Sequence, residues 1–298
     1  MGIVYTLEKD RFEEFKRHLK KLGFKFESRP HQVFLARYDK FTVNLYESGK
    51  ITFGGSDKII NEVEWFLRNR LGAKPSGSPQ GIGFEGKTRI GTDEAGKGDF
   101  FGPLVVAGVL VTPDTESMLM STGVRDSKLV RSEQSISKIA GAIKRLLGKD
   151  GYDIVSIHPA RYNELYEKLG NLNSMLGWAH ARAIENLLRK NEDCRLAIAD
   201  QFGNEEYIRK ALMSNGKKIE LIQAHKGERD SAVAAASIVA RDRFLFAIRK
   251  LSEEFDVEFP RGSGDKARYV AGRFIEEYGK EALRKVAKLH FSLSNELL

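Results

Sequence analysis

Gly91-Thr92-Asp93-Glu94-Ala95-Gly96-Lys97-Gly98, followed by Asp99-Phe100-Phe101-Gly102-Pro103 and the apolar run Leu104-Val105-Val106-Ala107-Gly108-Val109-Leu110-Val111, decides how this chain reads. The β-branched run has the composition of a buried strand. The acid pair therefore sits where one strand ends and a tight glycine turn begins. Neighbouring carboxylates on a rigid strand repel each other and lose hydration. A divalent cation relieves both costs, and hard ions such as Mg²⁺ prefer oxygen ligands.

The same stretch nearly spells a phosphate-binding loop. Gly91-x-x-x-x-Gly96-Lys97 fits its first seven positions, but the eighth should be a Ser or Thr that holds Mg²⁺, and here it is Gly98. Asp93 and Glu94 would also repel a triphosphate where backbone N–H groups should cradle it. A nucleotide cradle is excluded on both grounds. An ordinary hairpin turn carrying surface charge is the plain alternative, so the acids elsewhere in the chain carry weight.

Downstream, strands and helices alternate. Val124-Arg125-Asp126-Ser127-Lys128-Leu129 precedes a helix bearing Ile136, Ile139, Ile143 and Leu146. Asp126-Ser127 reads as its cap, with Lys128 as a phosphate contact. Tyr152 to Ile157 is a strand ending at His158-Pro159, and Asn173 to Lys190 is a helix containing Trp178, His180 and Arg182. Arg195 to Asp200 is a short apolar strand that ends in an acid before Gln201-Phe202-Gly203. Functional groups in open α/β sheets gather at strand ends, which Asp200 satisfies and Asp193 does not. Another strand, Ile219 to Gln223, leads through Lys226-Gly227-Glu228-Arg229-Asp230 to a helix from Ala232 to Lys250. That helix opens with small residues able to lie close to a sheet. Glu228 and Asp230 both stand at its N-terminus, where an acid also serves as a cap. Arg261 to Lys266 reads as a loop and cap before two further helices, and His290 reads as packing or surface.

Upstream, residues 1–72 form a compact α+β pattern. A strand from Ile3 to Thr6 leads to a helix from Glu8 to Lys21 with Phe12, Phe15 and Leu19 on one face. Alternating strands follow at Phe24–Glu27, Val33–Tyr38, Phe41–Glu47 and Ile51–Phe53, and then a helix capped by Asp57. Lys16, Arg17, Lys20 and Lys21 make a basic cluster, either a solvated face or a nucleic-acid contact. Residues 73–87 are rich in Gly, Ser and Pro and read as a linker. Residues 88–298 form the second domain.

Composition narrows the function. The 298 residues are 41% hydrophobic and 30% charged. No run reaches the roughly 20 apolar residues that span a bilayer, and no signal peptide opens the chain. A single cysteine, Cys194, excludes an internal disulfide and a Cys-rich zinc site. These features point to a cytoplasmic protein with no membrane partner. The net charge of +8 favours a polyanion. Residues 1–72 carry 14 Lys and Arg against 10 Asp and Glu, so a quarter of the chain holds half the excess.

The candidate acids Asp93, Glu94, Asp200 and Glu228, with Asp230 as the alternative to Glu228, come from three separate strand ends or helix starts. No His or Cys pair has zinc spacing, and Ser127 and Ser231 lack a His partner for a nucleophile triad. An all-carboxylate set in a basic protein points to phosphodiester chemistry with hard metals, in which two ions about 3.5–4 Å apart activate water and steady the leaving oxygen. Lys97, Lys128 and Lys226 are positioned to hold the polyanion.

These motifs resemble the type 2 ribonucleases H in the ribonuclease HIII form. The carriers are Asp93-Glu94-Ala95-Gly96-Lys97-Gly98 with Phe101-Gly102-Pro103, Asp126-Ser127-Lys128, Asp200-Gln201-Phe202, and Lys226-Gly227-Glu228 with Ala234-Ala235-Ala236-Ser237-Ile238. The HIII form carries Lys within Gly-x-Gly where ribonuclease HII usually has Arg. The resemblance implies an α/β ribonuclease H-like catalytic domain, a mixed sheet flanked by helices, preceded by a small α+β domain like the TATA-binding protein that binds substrate. It implies Mg²⁺- or Mn²⁺-dependent cleavage of the RNA strand of RNA–DNA hybrids by a monomer. The metal ligands would be Asp93, Glu94 and Asp200, with substrate at Gly96, Lys97, Gly98, Ser127 and Lys128. The alternative is a non-catalytic nucleic-acid-binding protein with a degenerate metal site.

Overall fold

The structure is a computed structural model and describes residues 4–28, 32–39, 41–54, 59–76, 84–124 and 132–297. Its contacts divide the chain into two units, Met1–Gln80 and Gly81–Leu298.

The first unit runs β1 (Val4–Thr6), α1 (Phe12–Lys21), β2 (Lys25–Glu27), β3 (Gln32–Tyr38), β4 (Phe41–Tyr46), β5 (Lys50–Gly54), α2 (Ile59–Asn69) and β6 (Lys74–Ser76). Its sheet is antiparallel, in the order β2-β3-β4-β5-β1-β6. The period of two is visible in β4, where Phe41, Val43 and Leu45 are buried and Thr42, Asn44 and Tyr46 are not. The buried set packs with Phe15 and Leu19 of α1 and Val63 and Leu67 of α2, so both helices cover one face. The helix expected from Glu8 begins as a 3₁₀ turn at Lys9–Arg11. Asp57, the expected cap of α2, lies outside the described residues.

The expected linker, residues 73–87, is corrected in part. Lys74–Ser76 pairs with β1, Val4 opposite Ser76 and Thr6 opposite Lys74. Strand pairing is a backbone interaction, so the open edge of β1 takes up a segment whose composition points to a linker. The segment forms the sheet's last strand, where Pro75 is tolerated.

The second unit runs β7 (Arg89–Ala95), β8 (Leu104–Val111), α3 (Pro113–Ser121), α4 (Glu133–Leu147), β9 (Tyr152–Ile157), α5 (Pro159–Leu169), α6 (Leu172–Leu188), β10 (Leu196–Asp200), α7 (Glu206–Ala211), β11 (Glu220–Ala224), α8 (Ser231–Phe255), α9 (Asp265–Tyr278), α10 (Lys280–Val286) and α11 (Ser292–Leu297). The sheet order is β11-β10-β7-β8-β9. β10 runs parallel to β7 and β11, and β7, β8 and β9 are antiparallel, which makes a mixed sheet. Every residue of β8 is buried because both faces are covered. Val105, Ala107, Val109 and Val111 join the core of α4 and α8, and Leu104 and Val106 join that of α5 and α6. The small residues of α8 bring its first turn onto β7. A Cβ on Gly91 would lie 2.2 Å from the backbone of Ala232 and Val233.

Four helices were not expected. α3 starts with Thr112 as cap and Pro113 in its first turn, and α5 starts at Pro159, where the sequence suggests only a strand end. The other two are α7 and α11, of six residues each. The cap of α4 is also corrected. Ser132 accepts the Ser135 N–H at 3.2 Å, whereas Asp126, Ser127 and Lys128 lie outside the described residues. His290 is a packing residue, half-buried against the rings of Tyr162 and Tyr166. No described helix is long and apolar enough to cross a membrane.

Candidate active site

β7 is paired to β8 along its whole length, from Arg89 opposite Val111 to Ala95 opposite Val105. Against β10 it pairs only at Ile90, Gly91 and Thr92, and β10 itself ends at Asp200. Past Thr92 the second edge of β7 is therefore not covered by β10, and Asp93, Glu94 and Asp200 lie at adjoining strand ends. The strand period sends the two neighbouring acids to opposite faces. Asp93 turns to the α8 side and meets Ser237, and Glu94 turns to the α6 side and meets His180.

Each acid is held by named partners. Asp93 Oδ1 accepts the Glu94 N–H at 2.8 Å. Burial first, then the charges of Glu94 and Asp200, push its carboxyl up to about 7 against the pull of Ser237 and the Glu94 N–H. Burial also pushes Glu94 upward, but His180 and Lys97 outweigh it and leave the carboxyl below its usual range. Lys97 Nζ lies 3.4 Å from Glu94 Oε1, and His180 Nε2 lies 3.4 Å from Oε2. Asp200 Oδ1 accepts the Gly227 N–H at 2.7 Å, a bond made possible by Lys226, which turns the chain at φ +58. Burial raises the Asp200 carboxyl, and the charges of Glu228 and Glu94 add to the rise.

Glu228 and Asp230 part company. Glu228 lies in the 3₁₀ turn Gly227–Arg229, close enough for its charge to act on Asp200. Asp230 is the cap of α8: Oδ1 accepts the Ala232 and Val233 N–H groups at 2.8 and 3.3 Å. Its other oxygen takes the Nε of fully buried Arg89 at 2.6 Å. Arg89 also binds Glu116 and Ser231, so Asp230 is committed to a buried network.

The turn after β7 carries the other sequence candidates. Gly96 sits at φ +86, which favours glycine. Lys97, partly exposed, spans from Glu94 to the Phe202 ring at 5.8 Å. Gly98 is exposed, and a Cβ there would meet nothing within 4 Å, so local packing gives no reason for a glycine. Ser127 and Lys128 lie outside the described residues.

Three residues were missed. His180 is a buried polar residue in the largely apolar middle of α6, and Ser237 interrupts the apolar run Ala232–Ala236 and Ile238–Ala240 of α8, which is the signal available for them. Arg241, one turn beyond Ser237, feels the charges of Arg261 and Asp93; burial and Arg261 lower its pKa.

The donor set suits a hard divalent cation: carboxylates without sulfur, and a buried Glu94 Oε2 with no hydrogen-bond partner. Among the described residues no three His, Cys, Asp or Glu side chains are grouped so as to hold a metal ion. In this arrangement Asp93 is engaged by Ser237, Glu94 by Lys97 and Asp200 by Gly227.

The mixed sheet with carboxylates at the adjoining ends of its central strands defines an α/β protein of the ribonuclease H-like class. Residues 90–294 match the family model described as Ribonuclease HII, and residues 2–65 match a Domain of unknown function (DUF3378). The ribonuclease HIII of Protochlamydia amoebophila is 36% identical over 295 residues, covering 99% of this chain and 96% of the relative. That of Chlamydia trachomatis serovar L2 is 37% identical over 300 residues, covering 100% and 97%. The crystal structure of Bst-RNase HIII in complex with Mn²⁺ superposes with a TM-score of 0.68 at 25% identity, over 99% of this chain and 97% of that one. The chain belongs to the type 2 ribonuclease H family, in its ribonuclease HIII form.

Proposed function

We propose that this chain is an endoribonuclease that hydrolyses the RNA strand of RNA–DNA hybrids, leaving 5′-phosphate and 3′-hydroxyl ends. Asp93, Glu94 and Asp200 would hold Mg²⁺ or Mn²⁺, with Glu228 as the fourth acid. The observation that carries this reading is geometric. β7 and β10 pair in register up to Thr92 and Ala199, which sets Asp93, Glu94 and Asp200 at adjoining strand ends. The Gly227 N–H bond to Asp200 brings the turn of Glu228 beside them, although these acids come from three distant segments. Bound cations would supply an activated water and steady the leaving oxygen.

The chain's own residues do the remainder. Burial and the neighbouring carboxylates push the Asp93 carboxyl up to about 7, and a cation held there would favour its charged form. Gly98 leaves its backbone bare, so a ribose can approach and its 2′-hydroxyl, the group that distinguishes RNA from DNA, can be read. Lys97 brings a positive charge to the same turn. Ser127 and Lys128 are proposed as phosphate contacts on the family resemblance. Residues 1–72 are proposed as a substrate-binding domain like the TATA-binding protein, joined to a catalytic domain at 88–298. The sheet face opposite α1 and α2 carries Arg37, Asn44 and Tyr46, and α1 carries Lys16, Arg17, Lys20 and Lys21.

The test is nicking of a labelled hybrid by the wild type and Asp93→Asn in Mg²⁺, Mn²⁺ or EDTA. Cleavage should need a metal and Asp93. Undiminished cleavage in EDTA, or by the variant, overturns the proposal.

A further inference from the structure

We propose that His180 is a positioning residue that orients Glu94 for the cation through its Nε2, a reading that rests on Glu94 being a metal ligand. The ring is fully buried at the middle of α6. Its Nδ1 lies 2.8 Å from the Thr92 hydroxyl, two residues before Glu94 on the same face of β7. A Thr92 hydroxyl donating to Nδ1 leaves the ring proton on Nε2, the nitrogen that faces Glu94.

Nε2 and Glu94 Oε2 are 3.4 Å apart, and each is a buried polar atom with no hydrogen-bond partner. Two such atoms facing each other are unusual, because leaving a buried donor or acceptor unpaired is costly. A small rotation of the Glu94 carboxylate satisfies both at once. In the present arrangement the other oxygen is held by Lys97 from the exposed side. The carboxylate is thus gripped lightly at both ends, with the inner grip incomplete and the outer one made by a lysine that can move away.

His180 also reaches the segment that follows the third acid. Its ring stacks on Phe202 with centroids 4.9 Å apart and planes 22° apart. Phe202 is two residues beyond Asp200. One side chain therefore braces both β7 and the end of β10, the two segments that carry Asp93, Glu94 and Asp200. Partners of this kind, which hold a ligating side chain in place, govern metal affinity as well as activity.

The test uses two amides that mimic the two ring nitrogens separately. His180→Gln places its amide near the position of Nε2, and His180→Asn near that of Nδ1. Mn²⁺ is titrated calorimetrically into the full-length, metal-stripped protein, without substrate, for wild type, both variants and Asp93→Asn. The expected result is Mn²⁺ affinity within about threefold of wild type for His180→Gln and about tenfold or more weaker for His180→Asn. Equal affinities for the two amides, or a tighter Asn variant, overturn the assignment of Nε2. If Asp93→Asn loses Mn²⁺ while both His180 variants keep it, only the inference about His180 fails. If Asp93→Asn binds Mn²⁺ like wild type, the metal reading itself fails.

Discussion

Replacing Asp93 with Asn should stabilise the metal-free protein at alkaline pH, at the expense of its activity. The Asp93 carboxyl is raised from 3.8 to about 7, chiefly by burial and then by Glu94 and Asp200. Below about pH 4 both the folded and the unfolded chain keep the proton, and the group costs nothing. As the pH rises the unfolded chain releases its proton first, so the folded state loses ground until about pH 7, where the penalty is complete. Because each tenfold change in proton affinity is worth roughly 1.4 kcal/mol, this rise sets a ceiling of about 4 kcal/mol. Asn removes the charge but loses part of the hydrogen bonding to Ser237 and the Glu94 N–H, so about half the ceiling, roughly 2 kcal/mol, should survive. For a unit of this size that is about 4–8 °C in Tm. Thermal unfolding in EDTA at pH 8 and pH 5 measures it. The variant should melt higher at pH 8, and the gap should shrink at pH 5. Excess Mn²⁺ should raise the wild type more than the variant, because a ligand stabilises the state that binds it. A variant no more stable than wild type at pH 8, or a gap unchanged at pH 5, would refute the reasoning.

Three other perturbations separate the neighbouring roles. Glu228→Gln should lower turnover on a hybrid by about 100-fold with little change in Tm. Asp230→Ala should instead lower stability by about 3–5 kcal/mol, read by urea unfolding, because it strips a helix cap and takes from buried Arg89 one of its two carboxylate partners, leaving only Glu116; the opposite pattern would exchange the roles of the two acids. Gly98→Ala should keep its Tm and lose about tenfold in kcat/KM on a hybrid, whereas Gly91→Ala, whose Cβ meets the α8 backbone, should lose 3 kcal/mol or more, at about the upper end of overpacking costs. Lys16→Glu combined with Lys20→Glu should weaken hybrid binding and reduce the slope of log K against log salt by about 2. An unchanged slope would show that α1 does not meet the phosphates.

Much of this protein is written locally. The run from Leu104 to Val111 announces a strand covered on both faces, because each residue must find apolar surroundings and none is polar. Asp93, Glu94 and Asp200 were legible because each stands near a strand's end beside a glycine turn or its equivalent, and strand and turn are properties of neighbouring residues. The Lys74–Ser76 strand was not legible, because its reason is the unpaired edge of β1 some seventy residues away.

The choice between Glu228 and Asp230 belongs to the same class. Both stand before a helix and both are acids, so nearest-neighbour chemistry treats them alike. Arg89, 141 residues earlier in the chain, separates them by drawing Asp230 into a buried ion pair while the preceding turn leaves Glu228 beside Asp200. His180 and Ser237 read as interior helix residues until α6 and α8 close on opposite faces of β7 and bring one to Glu94 and the other to Asp93. Period and composition follow from covalent neighbours and are carried by the sequence. Which polar groups face each other across a packed sheet is decided only when the layers come together, because burial turns a side chain into a partner or a liability.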